Sequence, residues 1–183
     1  SKERFTETSP LLPNSPYSAS KTAADLLVRA YHHTYGLPVV ISRCSNNYGP
    51  RQHPEKFLPT VILNAAQDKP VPIYGDGLYV RDWIHVLDHC GAIDTILQKG
   101  KAGEVYNVGA DNEWANIDLA RKVLHILGKP EDLLTSVADR PGHDRRYAIE
   151  WARIKKELGW SPHVVFDSGL EETVNTYLAR LRS

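Results

Sequence analysis

Methionine is absent from all 183 residues, the first included. We therefore expect a chain that begins inside a longer one. Cysteine occurs twice, at Cys44 and Cys90, with no Cys-x-x-Cys pattern; isolated thiols fit a reducing compartment, so the expected location is cytoplasmic. No apolar run approaches the ~18 residues of a membrane span, and no charged-then-apolar leader opens the chain. Neither a membrane nor a secretory route is expected. Excess charge is lacking too: 22 Lys and Arg balance 22 Asp and Glu. Without a basic stripe, nucleic acid is not an expected partner. A glycine-rich phosphate turn is also missing, since neither G-x-G-x-x-G nor G-x-x-G-x-x-G occurs. Gly75-Asp76-Gly77 and the stretch from Gly100 to Gly109 have neither the spacing nor the strand-to-helix setting. A dinucleotide pyrophosphate needs that turn at a helix N-terminus, so we expect only the second half of any such fold here.

What is present describes an ordinary globule. Hydrophobic residues make up 42% and charged residues 24%, enough for a core at this length. Helices are expected over residues 17–35, 55–67, 87–98, 116–127, 150–158 and 167–181. Short β-branched or aromatic runs predict strands over 39–42, 71–74, 79–86 and 104–108. Residues 44–54 and 139–146 read as loops, dense in Asn, Gly and Pro or in charge. Alternating strands and helices give an α/β class.

The most informative run is Ser15-Pro16-Tyr17-Ser18-Ala19-Ser20-Lys21, at the mouth of the first helix. Residues four apart share a helix face. A phenol titrates near ~10, and a cation held beside it favours the phenolate, which makes the tyrosine a usable base. A Tyr and a Lys at this spacing arise by chance in roughly every second chain of such composition, so the flanks decide. Glu7-Thr8-Ser9-Pro10 and Pro13-Asn14-Ser15-Pro16 lead into the pair, and a strand follows the helix. Beyond that strand lies Arg43-Cys44-Ser45-Asn46-Asn47-Tyr48-Gly49-Pro50-Arg51, where strand ends of α/β folds bind ligands.

This ordering resembles the extended short-chain dehydrogenase/reductase family. Within it, several strings are similar to the dTDP-glucose 4,6-dehydratases: Ser45 to Pro50, Pro54 to Pro59, Pro72-Ile73-Tyr74-Gly75, Arg81-Asp82-Trp83, and above all Asp139 to Tyr147. The resemblance covers essentially the whole chain. It implies the C-terminal part of a Rossmann fold plus a small α/β substrate domain. Residues 1–43 would belong to the cofactor domain and 44–183 mainly to the substrate domain, with some elements returning. NAD is the implied cofactor and a nucleotide sugar, dTDP-glucose, the implied substrate. Tyr17 would take the proton of the 4-hydroxyl, and Lys21 would hold the nicotinamide ribose. Asn47 would touch the cofactor and Asn46 the sugar nucleotide. Lys56 and Phe57 would contact the substrate, with Pro72, Ile73 and Tyr74 around the thymine. Arg81 would bind the diphosphate with Asn116 nearby, and the stretch Asp139, Arg140, Pro141, Gly142, His143 would close over the nucleotide. The family's Asp-Glu pair for water loss would lie upstream of Tyr17; Glu3 and Glu7 cannot stand in for it. The residue types agree, since a diphosphate needs forked or point-charge cations, and Lys56, Arg81 and Arg140 stand in loop or strand-end contexts.

A homodimer through the helix 17–35 is also implied. Ala19, Ala23, Leu26, Leu27 and Ala30 form one apolar stripe, expected to cover the sheet. Ala24, Val28, Tyr31 and Tyr35 form a second, expected to meet another helix. No metal site is expected. His85 and His89 have the spacing of a zinc pair, but they straddle a strand-to-helix junction, and Asp88 between them is expected to start that helix. His32 and His33 are expected on the solvated surface.

Overall fold

The computed structural model describes residues 3–182. In chain order its first elements are α1 (Pro16–Tyr35), β1 (Ile41–Cys44), β2 (Asn46–Tyr48), α2 (Phe57–Ala66), β3 (Val71–Tyr74), β4 (Val80–His85) and α3 (Val86–Lys99). There follow β5 (Val105–Val108), β6 (Glu113–Ala115), α4 (Asn116–Leu127), β7 (Leu134–Val137), β8 (Arg146–Tyr147), α5 (Ala152–Leu158) and α6 (Phe166–Leu181). Among the described residues no helix is long and apolar enough to cross a membrane.

Parallel pairing dominates. β1 runs beside β5, β3 beside β7, and β2 beside β4, with Asn46 opposite Trp83 and Asn47 opposite Ile84. The first half of β4 also pairs with β6, antiparallel, and with β8, parallel. Four of these strands depart from the expectations above. β2 lies inside the expected loop 44–54, β8 begins at the end of the expected loop 139–146, and β6 and β7 were not expected. Asn-Asn-Tyr, Glu-Trp-Ala and Arg-Tyr are two- or three-residue pieces with no period-2 signal. They are strands because β4 and its neighbours supply the partner edge, a tertiary cause that outweighs propensity. Ser45 alone separates β1 from β2. Its N–H still bonds the carbonyl of Val108 on β5, at 2.9 Å, before Asn46 joins β4.

Two apolar clusters form. The larger packs α2, α4 and α6 against β2, β3 and β4, with Leu58, Ile62, Leu119 and Leu170 fully buried. Burying one such side chain stabilises by ~1.5–3 kcal/mol. The second joins α3 and α5 to β1 and β5 around Ile96, Tyr106, Val108 and Ile154. Gly169 lets α6 approach β2: a Cβ there would lie 2.6 Å from the Tyr48 hydroxyl.

α1 starts and stops where its residues dictate. Ser15 is extended, its hydroxyl accepts the N–H of Ser18 at 3.2 Å, and Pro16 opens the first turn. Gly36, at φ 68°, closes the helix with its N–H on the His32 carbonyl. The expected covering of the sheet by its first apolar stripe is not found. No residue of α1 is buried; its partly buried positions are the polar Ser18, Thr22, Asp25 and His32, while Ala24 and Val28 line a cleft with Val40 and Ile41. α1 meets β1 through an ion pair. Arg43 of β1 grips Asp25 with a fork, Nε to Oδ2 at 2.7 Å and Nη2 to Oδ1 at 3.0 Å. His32 is likewise not freely solvated. Its Nδ1 contacts the Leu37 carbonyl at 2.7 Å, and its ring lies against Gly103.

Candidate functional site

A cleft of about 1090 Å³ opens between the amino end of α1, the end of β1 and the loop after β7. It brings together Tyr17, Lys21, Asn46, Arg81, Arg140, Pro141, Gly142 and His143 from the sequence-derived set. Tyr17 stands in the first turn of α1 and is 72% exposed, so its hydroxyl is open to a ligand. The Lys21 ammonium lies 5.8 Å from the Tyr17 ring centroid. Asp25, one turn further on, could compete for Lys21, but both its oxygens are engaged by Arg43.

The cleft is net basic, with Lys21, Arg43, Arg81 and Arg140 set against Asp25 and Asp144. Among the described residues, Lys21, Arg81 and Arg140 have no carboxylate within ion-pair distance. Arg81 bonds only the Val80 carbonyl, at 2.7 Å. Burial lowers its guanidinium pKa, with the nearby Asp144 opposing the shift. Arg140 sits 5.9 Å over the Tyr74 ring. A half-buried guanidinium with no carboxylate in contact is poorly solvated and favours an anionic ligand.

The loop carrying Arg140 is anchored at both ends. Asp139 accepts from the Tyr79 hydroxyl through a short hydrogen bond, from His143 Nδ1 at 2.8 Å, and from the Arg140 N–H at 2.9 Å. These bonds, Tyr79 first, hold its carboxyl at about 2. At Gly142, φ 69°, a Cβ would meet the Asn14 carbonyl at 2.9 Å, which fixes the loop beside the amino end of α1.

The remaining sequence-derived residues lie outside the cleft. The Asn47 side chain is committed within the protein, its Oδ1 to His89 Nδ1 at 2.8 Å and its Nδ2 to the Ser45 carbonyl at 3.2 Å. Lys56 is exposed beside Glu55 before α2, and Phe57 packs 6.3 Å from Trp83. On β3, Ile73 is buried, Pro72 is partly buried and Tyr74 faces outward, joined to the cleft through Arg140. Asn116 opens α4 and donates its N–H to the Tyr79 carbonyl at 3.0 Å. His85 and His89 make separate contacts: His85 Nδ1 accepts the Leu87 N–H, while His89 meets Asn47. Asp88 stands in the first turn of α3, yet it does not cap that helix. Its oxygens accept the N–H groups of His163 and Val164, both at 3.0 Å, and pin the approach to α6. Sequence reasoning missed the Asp25–Arg43 fork, Tyr79 on Asp139, and Tyr147, whose hydroxyl donates to the Cys44 carbonyl at 3.4 Å beside the cleft. Each acts on a residue far along the chain, and no local pattern marks them.

Comparison with known proteins places this geometry. A family model described as GDP-mannose 4,6 dehydratase matches residues 1–173. The chain is 54% identical to a dTDP-glucose 4,6-dehydratase of Xanthomonas campestris pv. campestris, over 96% of its own length and 52% of that relative's. It superposes on the dTDP-glucose 4,6-dehydratase of Bacillus anthracis str. Ames, solved with NAD, at TM-score 0.95 and 51% identity, covering 99% of this chain and 58% of that one. The dTDP-glucose 4,6-dehydratase of Streptomyces venezuelae, solved with NAD and dTDP, gives TM-score 0.96 and 48% identity over 98% and 56%. The chain thus spans about half the length of the curated relatives it matches. The parallel pairing and the helices on both clusters are those of the α/β Rossmann enzymes of the extended short-chain dehydrogenase/reductase type. On the match over residues 1–173 and identities near one half to its relatives, the chain belongs to the GDP-mannose 4,6-dehydratase family.

Proposed function

We propose that the whole protein is an NAD-dependent lyase that converts dTDP-glucose to the 4-keto-6-deoxy sugar. The observation that carries this is the gathering of Lys21, Arg81 and Arg140, each without a carboxylate partner, in one cleft beside an exposed Tyr17. A nucleotide diphosphate supplies the missing counter-charge. Arg81 and Arg140 would bracket the diphosphate, and Tyr74 would offer its ring to the base. Asn46 at the head of β2 would hydrogen-bond the sugar nucleotide.

Tyr17 Oη would accept the proton of the sugar 4-hydroxyl as carbon 4 is oxidised. Lys21, 5.8 Å from the Tyr17 ring centroid, would hydrogen-bond the ribose next to the reacting ring. The unpaired ammonium fits that ribose. The chain's lack of a glycine-rich turn means that the pyrophosphate would be held by residues beyond this sequence. NAD, when bound, supplies the acceptor for the hydride of carbon 4 and its return at carbon 6 after water loss. The acid and base for that water loss are also assigned beyond these residues, so this chain alone should not turn over. Asn47 can contribute to a cofactor site by its placement on β2; its side chain is already engaged.

In this reading residues 1–43 belong with the cofactor half and 44–183 mainly with the sugar nucleotide. The second apolar cluster supports a return of β5, α3 and α5 to the cofactor half. Two free cysteines support a cytoplasmic setting. The apolar Val28, Tyr31 and Tyr35, all exposed on α1, support a homodimer through that helix. Val28→Glu with Tyr31→Glu should then halve the mass seen by light scattering; an unchanged dimer moves the interface elsewhere. The activity itself is tested by incubating full-length protein with dTDP-glucose and with UDP-glucose. A 4-keto product from dTDP-glucose is expected, and product from UDP-glucose alone would favour a UDP-sugar epimerase or decarboxylase instead.

A further inference from the structure

Tyr79 has no role in the chemistry above, yet it holds the loop that carries Arg140. We propose that Tyr79 is a positioning residue for the nucleotide diphosphate, acting through Asp139 and His143 to fix Arg140 at the cleft. This rests on the reading of the cleft as a nucleotide diphosphate site.

β3 and β7 lie side by side with Tyr74 opposite Val137, so the turn after β3 and the loop after β7 leave the sheet together. Tyr79 emerges from that turn and meets the loop at two places. Its hydroxyl donates to Asp139 Oδ2. Its ring lies flat on His143, with centroids 3.8 Å apart and planes 15° from parallel. Asp139 closes the triangle by accepting from His143 Nδ1 at 2.8 Å. The His143 side chain is only 4% exposed, although it stands on a surface loop. The Arg145 guanidinium lies 4.9 Å over the same Tyr79 ring, and its own position is fixed by Asp76 at 2.7 Å.

Arg140 sits between these anchors, and its N–H is already bound to Asp139 Oδ1. Its guanidinium has no carboxylate partner among the described residues and faces the cleft and Tyr74. An arginine on a loose loop must be ordered when it meets an anion, and that ordering subtracts from affinity. A loop gripped at both ends meets the anion already ordered. Neither contact is needed for the core, since Tyr79 lies in neither apolar cluster. The arrangement therefore serves the loop.

The test is Tyr79→Phe in the full-length protein, which keeps the ring and removes the hydroxyl. Titration calorimetry would measure binding of dTDP and, separately, of NAD. Hydrogen exchange would follow the amides of residues 140–144 without ligand. We expect dTDP affinity to fall about three- to tenfold, NAD affinity and the thermal midpoint to stay unchanged, and exchange in the loop to quicken. Asp139→Asn, which removes the shared acceptor's charge, should give the same pattern and serves if the first variant does not fold. Unchanged dTDP affinity in both variants overturns the role of Tyr79 and leaves the nucleotide reading intact. Equal losses for dTDP and NAD with a lowered midpoint make Tyr79 merely structural, which also overturns it. Wild-type protein that binds no dTDP at all removes the site reading first, even where loop exchange has quickened.

Discussion

Arg43→Ala should damage both stability and turnover, and the structure sets the size of each effect. Arg43 makes two charge-assisted bonds to Asp25, at 2.7 and 3.0 Å, and a third to the Glu7 carbonyl at 3.1 Å. The side chains are 19% and 11% exposed, so the pair lies nearer the buried limit than the surface one. Breaking a buried pair costs about 3–5 kcal/mol, and a surface pair only ~0–1 kcal/mol. We expect a loss of about 2–4 kcal/mol. The orphaned Asp25 carboxylate then has two near cations on its own helix, Lys21 one turn earlier and Arg29 one turn later. Whatever share of that attraction falls on Lys21 draws it from Tyr17, so turnover should fall beyond what lost stability explains. Adding Asp25→Ala removes that attraction. The double variant should recover part of both losses, a non-additivity that a double-mutant cycle reads directly. Urea unfolding and steady-state turnover of the full-length protein are the assays. A loss under about 1 kcal/mol, or a double variant as impaired as the sum of the singles, would refute the reasoning.

Tyr17→Phe should keep NAD bound while lowering turnover on the order of 10²–10⁴, because the ring remains and only the ionisable oxygen goes; unchanged turnover removes Tyr17 from the mechanism. Burial lowers the pKa of His89, so the unfolded chain takes up its proton first as pH falls. More protons bound to the unfolded state means stability that declines on acidification below ~6.5. His89→Gln should flatten that decline in urea melts, and an identical pH slope in the variant would discount the histidine. Gly169→Ala sets two effects against each other. Helix propensity favours alanine by ~1 kcal/mol, while a Cβ 2.6 Å from the Tyr48 hydroxyl and 2.8 Å from Val164 Cγ1 overpacks the junction, which costs about 1–3 kcal/mol. Net destabilisation is expected, and a raised unfolding midpoint would show that α6 can shift freely.

The α/β class and the long helices were legible in the sequence because each carries its own period. The α1 helix has a serine cap, a proline at its start and a glycine at its end, all local signals. Its rotation was not legible. The apolar stripes showed what the helix is able to bury, but not that Asp25 on its polar arc meets Arg43, eighteen residues on, in β1. The short strands were hidden for a related reason. Nothing in Asn-Asn-Tyr marks a strand until β4 stands beside it. Of the site, the cleft residues came from the family resemblance and the strings that carry it. The support of the Arg140 loop by Tyr79 did not, since stacking across 64 positions leaves no trace in spacing.

The lone Ser45 between β1 and β2 has a mechanical consequence. With its N–H bonded to β5 and the next residue already on β4, the crossing has no slack in which a hinge could form. The two sheets must move there as one beam. A ligand cannot be admitted by prising these walls apart. On the nucleotide reading proposed above, entry and exit would fall to the parts fastened from outside the sheets, the amino end of α1 and the arm bearing Arg140.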